Sequence, residues 1–92
     1  MSIQKNKKGE VTFICDVAPE AKRVFLAGDF NQWDPSVRPM AKSRDGTFRA
    51  RLKLAPGQYE YKFVADGNWL TDAKAEEQIP NACGGFNSLV RV

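Results

Sequence analysis

The feature that most restricts this chain is an alternation of apolar and polar residues in short runs, each cut off by turn formers. Phe48, Ala50, Leu52 and Leu54 alternate with Arg49, Arg51 and Lys53. Tyr59, Tyr61 and Phe63 alternate with Glu60, Lys62 and Val64, and Val11, Phe13, Cys15 and Val17 with Thr12, Ile14 and Asp16. Successive side chains on a strand point to opposite faces, so period two means strands with one face buried. Val24 to Phe30 is mostly apolar, as in a more buried strand, and Leu89 to Val92 reads as a closing strand. No apolar stripe with helical spacing runs through any long window, which leaves an all-β chain.

The connectors carry turn chemistry. Pro56-Gly57 suits a type II turn, with φ preset by Pro and a positive φ accepted by Gly. It joins two strands of matching length, which predicts a hairpin over 48–64. Asp66-Gly67 is a tight-turn dipeptide leading into Asn68 and Trp69, and Asp45-Gly46 precedes the strand at Phe48. Residues 31–44 and 71–86 stay irregular, and long loops in a small domain often carry function. Short strands with turns at these spacings imply a β-sandwich. Its 92 residues make one domain, expected as a polar tail over 1–9 and the sandwich over 10–92. Such a domain buries about 60% of its unfolded surface or somewhat more. A ligand site is therefore expected as a groove or shelf on its surface.

Composition removes several functions. There is no His, which takes away the commonest general base and the commonest transition-metal ligand. Cys15 and Cys83 lie far apart, without zinc spacing, and a Cys nucleophile would lack its usual partner. Asp29 and Asp34 are close in sequence, but a strand end and an Asp-Pro turn explain them better than an acid pair does. Gly84-Gly85 stands alone and makes no phosphate loop. No catalysis, metal or cofactor is expected. The net charge of +3 comes from 14 basic and 11 acidic residues. Arg49, Arg51 and Lys53 share one strand face, which solvation explains as well as a nucleic-acid track does. Single-stranded nucleic acid would need aromatics among those bases, and no tryptophan is interleaved with them. No apolar run follows the basic residues of the tail, and none approaches the ~20 residues of a membrane span. A cytoplasmic protein with reduced thiols, without nucleic-acid or membrane partners, is expected.

The tryptophans carry the positive signal. Trp33 follows a strand within Asp29-Phe30-Asn31-Gln32-Trp33-Asp34-Pro35, and Trp69 follows the Asp66-Gly67 turn. A large aromatic at a loop edge is either a lid over the core's end or an exposed contact surface. Two of them, next to Asn31, Gln32 and Asn68, favour a binding site. An indole suits a pyranose, whose C–H face stacks while its hydroxyls stay wet. Lys62, set outward if Tyr61 and Phe63 point inward, offers donors, and Asn87 offers both donor and acceptor. A solvated lysine and a turn asparagine are the plainer alternatives for these two.

These residues carry a family resemblance. The stretch Val24-Phe25-Leu26-Ala27-Gly28-Asp29-Phe30-Asn31-Gln32-Trp33 resembles the opening signature of carbohydrate-binding module family 48. Pro56 to Trp69 is similar to its second signature, and Gly84 to Val92 to its closing strand, so the likeness spans roughly 10–92. The resemblance implies an immunoglobulin-like antiparallel β-sandwich that binds α-1,4-linked glucose polymers such as glycogen, starch or maltooligosaccharides. In domains of the AMP-activated protein kinase type, two tryptophans stack on glucose while a lysine and an asparagine bond hydroxyls. Those roles would fall on Trp33, Trp69, Lys62 and Asn87. Cys83 stands where that type has a leucine reaching through the glucan, and Gly85 where a nearby threonine helps to bind. A weaker or differently selective grip by the 71–86 loop, with the stacking platform intact, is the expectation. The domain would target a partner or host chain, such as a kinase or glycogen-metabolism enzyme, to the polysaccharide. The alternative is an interaction domain with a vestigial sugar site that docks a kinase or glycoside hydrolase.

Overall fold

Alternation becomes two facing sheets in the computed structural model, which describes residues 3–18, 20–72, 74–81 and 85–92. The strands are β1 (Ile3–Lys5), β2 (Glu10–Cys15), β3 (Val24–Gly28), β4 (Ala41–Lys42) and β5 (Phe48–Lys53). They continue with β6 (Gln58–Ala65), β7 (Asn68–Leu70), β8 (Glu77–Pro80) and β9 (Phe86–Arg91), and a 3-10 turn (Asp29–Asn31) follows β3. One sheet runs β1-β2-β5-β4. The other runs β3-β6-β9-β8, with β7 also paired to β6. Every pairing is antiparallel. This is the all-β, immunoglobulin-like sandwich that the alternation and the resemblance led us to expect.

Val11, Phe13, Val24, Leu26, Tyr61, Phe63 and Val90 fill the space between the sheets and are fully buried or nearly so. Phe13 meets Tyr61 edge-on, with ring centroids 4.9 Å apart, and Tyr61 meets Phe63 at 5.8 Å. Each large apolar side chain buried here stabilises the fold by about 1.5–3 kcal/mol. Tyr61 and Phe63 point inward as expected, so Lys62 points out. Ile3, within the stretch expected to be a polar tail, is buried in the core. Its strand β1 pairs with β2.

The hairpin expected over 48–64 does not form. β5 pairs with β2 and β4, whereas β6 pairs with β3, β9 and β7, so residues 54–57 carry the chain between sheets. Gly57 has φ +155°, far from the roughly +80° that a type II turn requires, and exchanges backbone hydrogen bonds with Val92. Leu54 N–H donates to Gly9 O, and Tyr59 OH to Ala55 O. Partners distant in sequence outcompete the local turn. Asp66-Gly67 behaves as read: both residues have positive φ, as a type I′ turn requires, and they close the β6–β7 hairpin. The backbone N–H groups of Arg23 and Lys22 donate to the Asp66 carboxylate and hold its pKa below the ordinary aspartate value.

Candidate functional site

The site grows from the outward face of β6. Tyr61 pairs with Gly28 of β3 and with Ser88 of β9, so those strands flank β6 on opposite edges. Phe63 pairs with Leu26 of β3 and Leu70 of β7, so β7 shares the β9 edge. β9 covers Gln58–Tyr61 and β7 covers Phe63–Ala65, which leaves Lys62 at the junction between them. One step beyond the Tyr61–Ser88 pair, the register brings Asn87 beside Lys62. Trp69 lies directly across from Val64. Directly paired residues share a face, so Lys62, Asn87 and Trp69 emerge together. Ala27, Val64 and Leu89 lie on this outer face and are nonetheless buried.

Trp33 arrives from the loop after β3. Gly28 is needed there because a Cβ would lie 2.6 Å from Glu60 O and 2.8 Å from the Phe30 ring. Asn31 then closes the 3-10 turn: Gly28 N–H donates to its Oδ1, and its Nδ2 donates to Leu26 O. Gln32 and Trp33 follow with φ of 56° and 58°. Two successive left-handed non-glycine residues cost about 1–2 kcal/mol each, and such strain gathers at functional sites. Trp33 is held by its N–H on Gly28 O at 2.9 Å and by its indole Nε1–H on Asp29 Oδ1 at 3.1 Å. Asp29 Oδ2 in turn accepts Glu60 N–H. Asp29 thus anchors the indole to β6.

The result is an open groove of about 430 Å³ lined by Trp33, Lys62, Trp69, Asn81 and Asn87. The two indoles sit 6.5 Å apart, tilted by 37°, and Trp69 is 44% exposed. Together they form an angled shelf with polar groups along one side. Asn87 Nδ2 donates to Glu60 Oε1, and Asn81 Nδ2 donates to Asn87 Oδ1. Behind the groove, Tyr61 OH donates to the buried Asp72 carboxylate at 2.7 Å, and Asp72 N–H donates to Ser88 Oγ. These bonds tie the segment after β7 to β6 and β9.

The structure brings together Trp33, Trp69, Lys62 and Asn87. Trp69 proves to be the centre of the short strand β7 rather than a loop-edge residue. The amides read beside the tryptophans are not the ones in the groove: Asn31 is spent on the turn, and Asn68 faces a different hollow, with Val17 and Leu70. Asn81, Glu60 and Asp29 were missed. The period-two pattern that sets Lys62 outward also sets Glu60 there, and Asp29 lies one turn before Trp33. Nothing local marks Asn81. Gly85 donates its N–H to Asn81 Oδ1, and a Cβ at Gly85 would meet Asn81 at an ordinary 3.7 Å. Cys83 lies outside the described residues. Asp34 accepts Ser36 Oγ–H and N–H, which lowers its pKa and assigns it to a turn.

Residues 14–92 match the family described as the glycogen recognition site of AMP-activated protein kinase. The chain is similar to mouse 5'-AMP-activated protein kinase subunit beta-2, 38% identical over 71 residues, 77% of this chain and 25% of the mouse protein. It is 46% identical over 52 residues to Protein PTST homolog 2, chloroplastic, of Arabidopsis thaliana, covering 56% of this chain and 10% of that one. Against Protein FLOURY ENDOSPERM 6, chloroplastic, of Oryza sativa subsp. japonica, identity is 48% over 52 residues, with the same coverage. The chain thus aligns with a quarter or less of each of these relatives.

Proposed function

The chain belongs to the family of AMP-activated protein kinase glycogen-recognition domains, and from that premise we propose that it is a non-catalytic module holding an α-1,4-glucan on Trp33 and Trp69. The observation that carries this reading is the tilted pair of indoles over one open groove. An α-1,4 chain curves, so consecutive glucose units present their C–H faces at an angle, which two inclined rings meet better than two coplanar ones. Stacking supplies the apolar contact, while Lys62 and Asn87 bond hydroxyls along the wet side. A shallow, open site gives a Kd on the order of micromolar to millimolar. Curvature also supports maltooligosaccharides and glycogen over straight β-linked chains. Asp29 holds an indole and Asp34 a turn, which supports the non-catalytic reading.

Mass action on a polysaccharide surface would then concentrate whatever the module is attached to. Relatives that are subunits of a kinase support a kinase as the tethered partner. Electrophoresis through gels with and without glycogen tests the reading. The protein should be retarded by glycogen and released by added maltoheptaose, with retardation abolished in Trp69→Ala. Unchanged mobility in glycogen would refute it.

A further inference from the structure

Glu60, Asn87, Asn81 and Gly85 form a hydrogen-bond chain along the polar side of the groove, and it runs in one direction. Gly85 N–H donates to Asn81 Oδ1 at 3.1 Å, and Asn81 Nδ2 donates to Asn87 Oδ1 at 3.0 Å. Asn87 Nδ2 then donates to Glu60 Oε1 at 3.1 Å. The two ends are chemically one-sided: a backbone N–H only donates, and an ionised carboxylate only accepts. A side-chain amide between them has two ends of nearly equal size and could face either way by shape alone. Gly85 requires the oxygen of Asn81, which turns that NH₂ toward Asn87. Glu60 requires an N–H from Asn87, which turns that oxygen toward Asn81. The two demands agree, and each enforces the other.

We infer that Glu60 and Asn81 are positioning residues that lock the Asn87 amide in one orientation and so fix which of its atoms a glucan hydroxyl meets. The inference rests on the glucan reading above. An NH₂ has two hydrogens and an amide oxygen two lone pairs. The chain uses one of each on Asn87, which leaves one donor and one acceptor for the groove it lines. A sugar hydroxyl both donates and accepts, so a fixed pair of this kind suits neighbouring hydroxyls on one ring. An unlocked amide would have to be ordered at the moment of binding, and preorganisation removes that cost. Glu60 is itself steadied, because its backbone N–H donates to Asp29, the residue that holds Trp33. The aromatic and polar sides of the groove are thereby fixed to the same point of β6.

Three variants, Glu60→Ala, Glu60→Gln and Asn81→Asp, test this by maltoheptaose affinity and by the Asn87 side-chain amide signals in ¹⁵N–¹H spectra without sugar. Asn81→Asp keeps the shape but sets acceptor-only groups on both sides of Asn87. It should weaken binding about five- to tenfold, the scale of one lost or reversed hydrogen bond. Glu60→Ala should weaken it about threefold or more, whereas Glu60→Gln, whose Oε1 still accepts, should stay within about twofold. The Asn87 signals should move in Asn81→Asp and Glu60→Ala and hold in Glu60→Gln. Binding within twofold in Glu60→Ala and Asn81→Asp overturns the inference while the glucan reading stands. Weaker binding with unmoved Asn87 signals overturns it too, since the loss would then come from elsewhere in the fold. If the unaltered protein leaves its Trp33 and Trp69 indole signals still at millimolar sugar, the underlying reading fails first.

Discussion

The two outer faces of the sandwich obey the same alternation and come to opposite ends. On the four-stranded sheet, β5 turns Arg49, Arg51 and Lys53 outward, where Arg51 and Lys53 are exposed and Arg49 pairs with Asp45. They are solvated, and both tryptophans lie on the other sheet. On the five-stranded sheet, the outward positions hold Ala27, Val64 and Leu89, all buried on the side away from the core. Trp33 comes over that face from a strained loop, and Trp69 from the added strand β7. What the adjoining loops lay upon a strand's outer face thus separates the proposed glucan surface from a solvated one.

Four sets of substitutions test whether the two faces differ in this way. Gly28→Ala should cost the most, about 1–3 kcal/mol of stability by overpacking, because the added methyl would strike Glu60 O on the β6 backbone. Thermal unfolding measures it, and an unchanged melting temperature would mean β3 and β6 can part without harm. Next, Trp33→Ala and Trp69→Ala should each weaken maltoheptaose binding at least about tenfold, or ~1.4 kcal/mol. Calorimetric titration reads the loss, and an effect under twofold at either position would remove that ring from the shelf. Third, Gly85→Thr adds a hydroxyl at a position with room for its Cβ. It should tighten binding about two- to threefold, within the reach of one modest hydrogen bond. Weaker binding would show that the Asn81 contact leaves no space. The smallest effect belongs to the other face: Arg51→Gln with Lys53→Gln should leave affinity unchanged and stability within about 0.5 kcal/mol. A marked loss of sugar binding there would erase the distinction between the faces.

How far the sequence can be read depends on the range over which each feature is decided. Tyr61 and Phe63 inward with Lys62 outward follows from strand geometry alone, and the Asp66-Gly67 turn follows from two residues that accept positive φ. The fold class needed no more than this. Pro56-Gly57 misled because its local preference competes with pairing to Val92, more than thirty positions away. Ile3 looks like part of a charged tail until β1 finds β2. The same limit applies at the site. Trp33, Trp69, Lys62 and Asn87 could be named from the motifs that flank them. Asn81 could not, because its place in the groove depends on β8 pairing with β9 and on its backbone bond to Gly85. Asn31 was attractive for lying next to Trp33, yet its amide is taken up by the turn that delivers that ring.

The central claim is that a glucan chain lies across both tryptophans on the outer face of the five-stranded sheet. A maltoheptaose titration followed through backbone, indole and side-chain amide signals of ¹⁵N-labelled protein tests it most directly. The indole Nε1–H signals of Trp33 and Trp69 and the Asn87 amide should move together and saturate with one affinity, while Arg49, Arg51 and Lys53 stay still. Indoles that remain unmoved at millimolar sugar, or shifts centred on β5, would contradict the account.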